Sequence, residues 1–175
     1  MYRRLLCNLF ILLFLIFNAV EFVAGKPSRD IKLEYSIRSY YWERFHEEYV
    51  IKYIPAYTDL NGDGKREAVV YIFGDCGSMA CPLLIATPTK KGYRVISELR
   101  PVRTPIWVSN KRNNGWHNIV VMQGGTANDR PFRSAFRFDG KSYVEDANDT
   151  GKRGKLLIGK NVSPLDGIPL KIEGR

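Results

Sequence analysis

The pattern that narrows the fold most is a series of short β-branched and aromatic runs that begins at residue 49. The runs are YVIKYIPAYT, EAVVYIF, PLLIATPT, YRVISELRPV, PIWVS, WHNIVVMQGG and SAFRFDGKSYVED, and Gly, Asn, Lys and Pro separate them. Runs of this length with turn residues between them are typical of strands joined as hairpins. Because no long helical pattern interrupts them, we expect a mainly antiparallel sheet rather than βαβ units.

A different periodicity precedes these runs, over residues 31–48. Leu33, Ile37, Tyr40 or Tyr41, and Phe45 recur at helical spacing, and charged residues fill the other positions. This pattern predicts one N-terminal amphipathic helix that covers one face of the sheet. The abundance of aromatic residues leaves a strand as the alternative. Together the two patterns predict the α+β class.

The first 25 residues have the pattern of a secretory signal. Two arginines precede an almost wholly apolar stretch over residues 5–17, and small or modest side chains follow up to Gly25. The alternative is an uncleaved anchor, but Asn18 and Glu21 end the apolar run short of the ~20 residues that a spanning helix needs. We predict an exported protein, periplasmic or secreted, with no stable membrane span after cleavage.

After the signal peptide, we predict a single α+β domain over residues 26–148 and a basic, flexible C-terminal segment over residues 149–175. Within that segment, LLIGKNVSPLDGIPL either adds an edge strand or lies loosely on the surface. The last four residues, 172–175, read IEGR, a protease-cleavage sequence used in expression vectors. They are left out of the fold prediction as a vector remnant or a coincidence.

Two cysteines remain after cleavage, Cys76 and Cys81. In an oxidising compartment, cysteines this close in sequence favour one disulfide. The bond would fix the shape of the loop between them, and its residues are the predicted contact loop: Gly77, Ser78, Met79 and Ala80. The alternative is a purely structural clasp between the flanking strands.

The stretch DLNGDGKRE at residues 59–67 alternates oxygen-bearing side chains around glycine. Calcium prefers several hard oxygen ligands around a tight turn. The predicted ligands are the side chains of Asp59, Asn61, Asp63 and Glu67 and the backbone carbonyl of Lys65. Val70 stands where an EF-hand has its bidentate glutamate, so the loop is similar instead to the shorter calcium loops of integrin-type FG-GAP repeats. The alternative is a plain hairpin turn, which Asn-Gly and Asp-Gly also favour.

A wider segment, residues 53–121, carries a second resemblance. DLNGDGKREAVVYIF, then CGSMAC, then an apolar strand resembles a group of small exported bacterial proteins that share a DLNGDG loop, a strand and a Cys-Gly-Ser-x-x-Cys loop. The resemblance implies export and the predicted sheet arrangement, and it assigns no activity.

A catalytic hypothesis starts from GDCGS at residues 74–78, which resembles the nucleophile motif of chymotrypsin-like cysteine proteases. Cys76 would be the nucleophile and His46 its base, with Asp59 or Asp63 orienting the imidazole. Cys81 opposes this because it should oxidise Cys76, so we predict no catalytic residues.

A zinc site is the other use of these cysteines, and its ligands would be Cys76, Cys81, His46 and His117. Oxidation to the disulfide disfavours this site as well.

The chain has a net charge of +9, and its basic residues are spread along the sequence. An exported basic protein can meet an acidic envelope component or a protein partner, whereas nucleic acid is not expected outside the cytoplasm. The alternative is a merely solvated surface.

The resulting hypothesis is a non-catalytic binding module of the cell envelope or exterior, stabilised by calcium. Its alternatives are a cysteine hydrolase and an inhibitor or immunity protein against a secreted hydrolase, since a periplasmic lysozyme-inhibitor family also uses a Cys-x₄-Cys loop.

Overall fold

The computed structural model describes residues 29–45, 48–77, 80–125 and 130–172, and the predicted signal peptide lies outside them. The helix is α1 (Ile31–Phe45). The strands are β1 (Tyr49–Thr58), β2 (Glu67–Phe73), β3 (Cys81–Thr89), β4 (Gly92–Asn113), β5 (Trp116–Gln123), β6 (Phe132–Phe138), β7 (Tyr143–Glu145), β8 (Lys155–Ile158) and β9 (Ile168–Ile172).

The strands form one sheet in the order β7-β6-β5-β4-β3-β2-β1-β9, with β8 paired to β4. Every pair is antiparallel, and β1 to β7 follow one another as hairpins. The predicted antiparallel sheet is therefore confirmed. Strand β4 joins two halves of this sheet: residues 92–102 pair with β3, whereas residues 103–113 pair with β5 and, in part, β8.

The two halves share one apolar core. Alternate residues of β2, namely Val69, Tyr71 and Phe73, pack in a cluster that includes Ile119 of β5 and Phe136 of β6. The intervening residues of β2, Ala68, Val70 and Ile72, pack in a second cluster with the helix. All seven residues of β2 are buried, and burial on both faces explains why the six residues after Glu67, AVVYIF, form a continuous apolar run rather than an alternating one.

Helix α1 packs on the sheet through Leu33, Ile37 and Tyr41, which are spaced four residues apart and are almost fully buried. This confirms a helix on a β-sheet. The helix lies within the predicted residues 31–48, but because it begins at Ile31 it is not at the N-terminus of the chain, which corrects that part of the prediction. The Asp30 carboxylate caps it by accepting the backbone N–H of Leu33 at 3.1 Å.

The C-terminal region differs from the expected flexible segment, because it contributes β8 and β9 to the sheet. Strand β9 pairs with β1, and its residues alternate between buried and exposed, with Ile168, Leu170 and Ile172 facing inward. The edge strand that the sequence left open is thus present, and Ile172, the first residue of IEGR, belongs to the core. Residues 173–175 lie outside the described part of the chain.

Among the described residues, no helix is long and apolar enough to cross a bilayer, and α1 has only 15 residues.

Candidate functional site

Two exposed loops lie at the two ends of β2. The acidic loop, residues 59–66, connects β1 to β2, and the disulfide loop, residues 76–81, lies between β2 and β3 and includes the first residue of β3. Both carry residues that the sequence singles out, and they are held in shape by different interactions.

The acidic loop is organised around the Asp59 carboxylate. Its Oδ1 accepts the backbone N–H of Gly62 at 2.6 Å, and its Oδ2 accepts that of Gly64 at 2.9 Å. Both glycines have φ near +80°, a conformation that side-chain-bearing residues rarely adopt. Desolvation acts to raise the pKa of Asp59, but the N–H groups of Gly64 and Gly62 outweigh it and hold this pKa below its ordinary value.

Asn61 and Asp63 make the same kind of local contact. The Oδ1 of Asn61 accepts the N–H of Asp63 at 2.9 Å, and the Oδ1 of Asp63 accepts the N–H of Lys65 at 2.8 Å. These turns fix the side-chain oxygens while leaving further lone pairs on each of them. As hard oxygen donors they fit calcium in kind, although no three His, Cys, Asp or Glu side chains of the described residues are grouped as a metal site.

Glu67 lies beneath the acidic loop and is fully buried. Its Oε2 accepts the backbone N–H of Leu60 at 2.8 Å, and its Oε1 accepts the hydroxyl of Thr87 at 3.4 Å. Burial raises the pKa of Glu67, and the Leu60 N–H opposes that rise. The structure thus assigns Glu67 a contact that fastens the loop to the core, and its role as a calcium ligand stays a prediction.

A cation that the sequence analysis did not single out lies beside the acidic loop. A Cβ placed on Gly62 would lie 3.1 Å from Nη1 of Arg112, and this nitrogen also donates to the carbonyl of Gly115 at 3.0 Å. The β4–β5 hairpin that positions Arg112 also contains His117, whose backbone N–H donates to the carbonyl of Leu60 at 2.8 Å. No local sequence pattern indicates this contact between two hairpins.

The disulfide loop contains the predicted bond between Cys76 and Cys81. The backbone N–H of Gly77 donates to the carbonyl of Ala80 at 3.0 Å, a second link across the base of the loop beside the disulfide. Cys76 and Gly77 are exposed, whereas Cys81 is buried where β3 begins. Ser78 and Met79 lie outside the described residues, as does His46. In this disulfide the Cys76 sulfur is not a thiolate, which is the form that acts as a nucleophile or a metal ligand.

An ion-pair network joins the base of the disulfide loop to the helix. Arg100 of β4 pairs with Asp75, which precedes the loop, and with Glu98, and its Nη1 also donates to the Asp75 carbonyl at 3.2 Å. Glu98 in turn pairs with Arg44 and accepts the hydroxyl hydrogen of Tyr40, both on α1. Burial and the adjacent Glu98 carboxylate raise the pKa of Tyr40 to about 12.

Two cavities meet beside the disulfide loop. One has a volume of 660 Å³ and the other 1040 Å³, and both are lined in part by Cys81, Arg103 and Phe132. The loop therefore forms one rim of a concave surface that continues over the middle of β4, the end of β5 and the start of β6.

Comparison with known proteins found no matching family model, no matching curated protein and no matching solved structure.

Proposed function

We propose that the protein is an exported, non-catalytic binding module of the cell envelope or exterior that contacts a protein partner through its disulfide loop. The observation that carries this proposal is that the loop is exposed at Cys76 and Gly77 and yet fixed at its base, by the Cys76–Cys81 disulfide and by the Arg100 pairs.

Such a loop has lost much of its conformational freedom before a partner arrives. Ordering flexible groups at an interface opposes binding, so a loop ordered in advance binds with a smaller loss of entropy. Because Arg100 and the disulfide act at the base of the loop, they leave Cys76 and Gly77 exposed, and the proposed contact is made by the residues between the two cysteines. The same arrangement suits an inhibitor that inserts a loop into the cleft of a secreted hydrolase.

The proposal includes weak calcium binding by the acidic loop. Asp59, Asn61 and Asp63 would hold the ion through side-chain oxygens, together with the Lys65 carbonyl. Calcium would add a cross-link between parts of the loop, with an affinity in the ~10⁻⁴–10⁻³ M range of extracellular modules.

Export is supported by the leader pattern of residues 1–25 and by the disulfide, which is typical of oxidising compartments. We expect the protein recovered from outside the cytoplasm to begin near Lys26, and its intact mass tests this. A mass that retains residues 1–25 would contradict cleavage.

The test of function is affinity capture from envelope and secreted fractions, with and without calcium. The wild type is compared with Arg100→Gln and Arg44→Gln, because both arginines pair with Glu98 but only Arg100 also holds Asp75. We expect a partner that Arg44→Gln retains and that Arg100→Gln and the Cys76→Ala/Cys81→Ala variant lose. A partner retained equally by all four proteins, or no partner, would overturn the proposal.

A further inference from the structure

The larger cavity beside the disulfide loop is strongly basic. Four cations from four separate segments line it: Arg103 of β4, Arg133 of β6, Arg153 of the β7–β8 connection and Lys160 of the β8–β9 connection. No Asp or Glu is among its described lining residues. The protein has a surplus of positive charge overall, but here four positive groups from distant parts of the chain converge on one concavity.

The strand register fixes two of these cations in one row. Arg103 is the cross-strand partner of Met122, and Met122 is the partner of Arg133, so the three side chains occupy one face of β4, β5 and β6. Two strand spacings place the backbones of the two arginines roughly 10 Å apart, so their long side chains can reach one small ligand that lies between them.

Arg103 is partly fixed in advance. Its Nη2 donates to the carbonyl of Gly125 at 2.9 Å, whereas its buried Nε has no hydrogen-bond partner among the described residues. The positive charge of Arg103 also acts on Tyr71: burial raises the pKa of Tyr71, and Arg103 opposes that rise. A partly buried guanidinium that lines the cavity and whose Nε lacks a partner among the described residues is suited to an acceptor that enters the cavity.

The cavity also has apolar walls. Trp107 and Phe132 line it, and the guanidinium of Arg153 lies 5.8 Å from the centre of the Trp107 ring, within the range of a cation–π contact. A volume of 1040 Å³ is that of a site for a small organic molecule and exceeds what a bare inorganic ion fills.

We infer that this cavity, lined by Arg103, Arg133, Arg153 and Lys160, binds an organic phosphate: a small apolar or ring-shaped body that carries a phosphate group. Arginine guanidinium groups bind phosphate oxygens in pairs of parallel hydrogen bonds. A phosphate monoester concentrates a charge of about −1.5 to −2 on one group, which matches the convergence of several cations better than a single carboxylate does. The source is either a soluble phosphorylated compound or the headgroup of a lipid.

This inference does not depend on the proposed contact of the disulfide loop with a protein, and different variants test the two. The variants that test this cavity leave Arg100, Asp75 and the cysteines intact. A failure of the cavity to bind an organic phosphate therefore leaves the capture experiment unaffected, and a failure of the capture experiment leaves the binding measurement unaffected.

The experiment is isothermal titration calorimetry of the full mature chain with 1-naphthyl phosphate, which combines a phosphate with an apolar ring. The test variant is Arg133→Gln/Lys160→Gln. The control variant is Arg137→Gln/Lys155→Gln, which removes the same charge; Arg137 lies on the same face of β6 as Arg133, and neither control residue is among the lining residues. We expect the test variant to bind at least about tenfold more weakly than the wild type and the control variant to bind like it.

Three further probes decide the ligand chemistry. Inorganic phosphate should bind more weakly than 1-naphthyl phosphate, and 1-naphthoate, which carries a carboxylate on the same ring, should also bind more weakly. Co-sedimentation with phosphatidylcholine vesicles that contain phosphatidic acid would assign the source to a lipid, and its absence alongside binding of 1-naphthyl phosphate would assign a soluble compound. The inference is overturned by no binding of 1-naphthyl phosphate, by equal weakening in both variants, or by equal or tighter binding of 1-naphthoate.

Discussion

The two loops at the ends of β2 differ in the contacts that stabilise them. The turns of the acidic loop are set by its own side chains, because Asp59, Asn61 and Asp63 each accept backbone N–H groups from within the loop, while Glu67 and His117 attach the loop to the sheet at Leu60. The disulfide loop is held by a covalent bond across it and by Arg100 from another strand.

This difference separates what the two loops are able to do. In the acidic loop, the groups that shape the backbone are the same groups that would bind an ion, so occupancy and conformation are coupled. In the disulfide loop, the contacts that the structure describes lie at its base, so an exchange of the residues between the cysteines leaves those contacts in place. The first arrangement suits a stabilising ion, and the second suits recognition of a partner.

The largest expected effect comes from breaking the anchor of the acidic loop. We expect Glu67→Ala to lower the free energy of unfolding by about 2–4 kcal/mol, because it leaves the Leu60 N–H buried without its acceptor and opens a small cavity. Chemical denaturation at pH 7 measures the loss. A loss below about 1 kcal/mol would mean that the loop does not depend on this contact.

Glu67→Gln is the matched control, since it keeps an acceptor for Leu60 and removes the charge. Because burial raises the folded-state pKa of Glu67, the folded state binds its proton more tightly than the unfolded state does. Stability from this group is therefore greatest below its unfolded-state pKa, falls as pH rises, and is lowest above its folded-state pKa. We expect Glu67→Gln to be at least as stable as the wild type at pH 7 and to lack this part of the pH dependence.

The next effect comes from removing the covalent restraint on the other loop. The disulfide closes a loop with a sequence separation of 5, for which chain entropy alone gives a stabilisation of about 2 kcal/mol. We expect Cys76→Ala/Cys81→Ala to lose about that amount, and reductant to destabilise the wild type similarly while leaving the variant unchanged. A variant as stable as the wild type would show that the Arg100 pairs alone are sufficient to hold the loop.

Calcium should distinguish the two loops directly. We expect millimolar calcium to raise the melting temperature of the wild type, and at ten times Kd the gain is about 1.4 kcal/mol. Asp63→Ala should abolish the increase, whereas Asp75→Ala, which removes an acidic residue beside the disulfide loop, should retain it. If neither 10 mM calcium nor EDTA shifts the transition of the wild type, at an order of magnitude above the expected Kd range, the acidic loop is a plain turn.

The sequence predicts the local features of both loops and misses the long-range ones. The hairpins, the helix face with Leu33 and Ile37, and the Cys76–Cys81 bond follow from periodicity and from spacing between near neighbours. For strand β9 the sequence predicts only two alternatives, because the Gly- and Lys-rich stretch before β8 resembles a tail and hides the alternation of IPLKI.

The residues around the candidate sites are the part that sequence patterns do not reveal. The contact of Arg100 with Asp75, the position of Arg112 beside Gly62 and the row from Arg103 to Arg133 arise from sheet register. Each joins residues at least 20 positions apart, and no local periodicity relates such positions. The spread of basic residues along the chain therefore looked even in the sequence, although four of them converge in space.

The smallest expected effect concerns Arg112, whose guanidinium lies beside Gly62 in the acidic loop. A positive charge so close to a calcium loop opposes the ion, and near a solvated surface this opposition amounts to fractions of a kcal/mol after screening by salt. We therefore expect Arg112→Gln to tighten calcium binding by roughly two- to fivefold at low ionic strength, with the gain shrinking as salt is added. Calcium titrations followed by melting temperature measure this.

Arg133→Gln is the control, because it changes the net charge equally at the far end of the β5–β6 pair. If both variants bind calcium more tightly by the same factor, the gain comes from net charge alone and not from the position of Arg112. Weaker binding in Arg112→Gln would show instead that Arg112 orders the acidic loop from outside, and the two loops would then be stabilised in the same way.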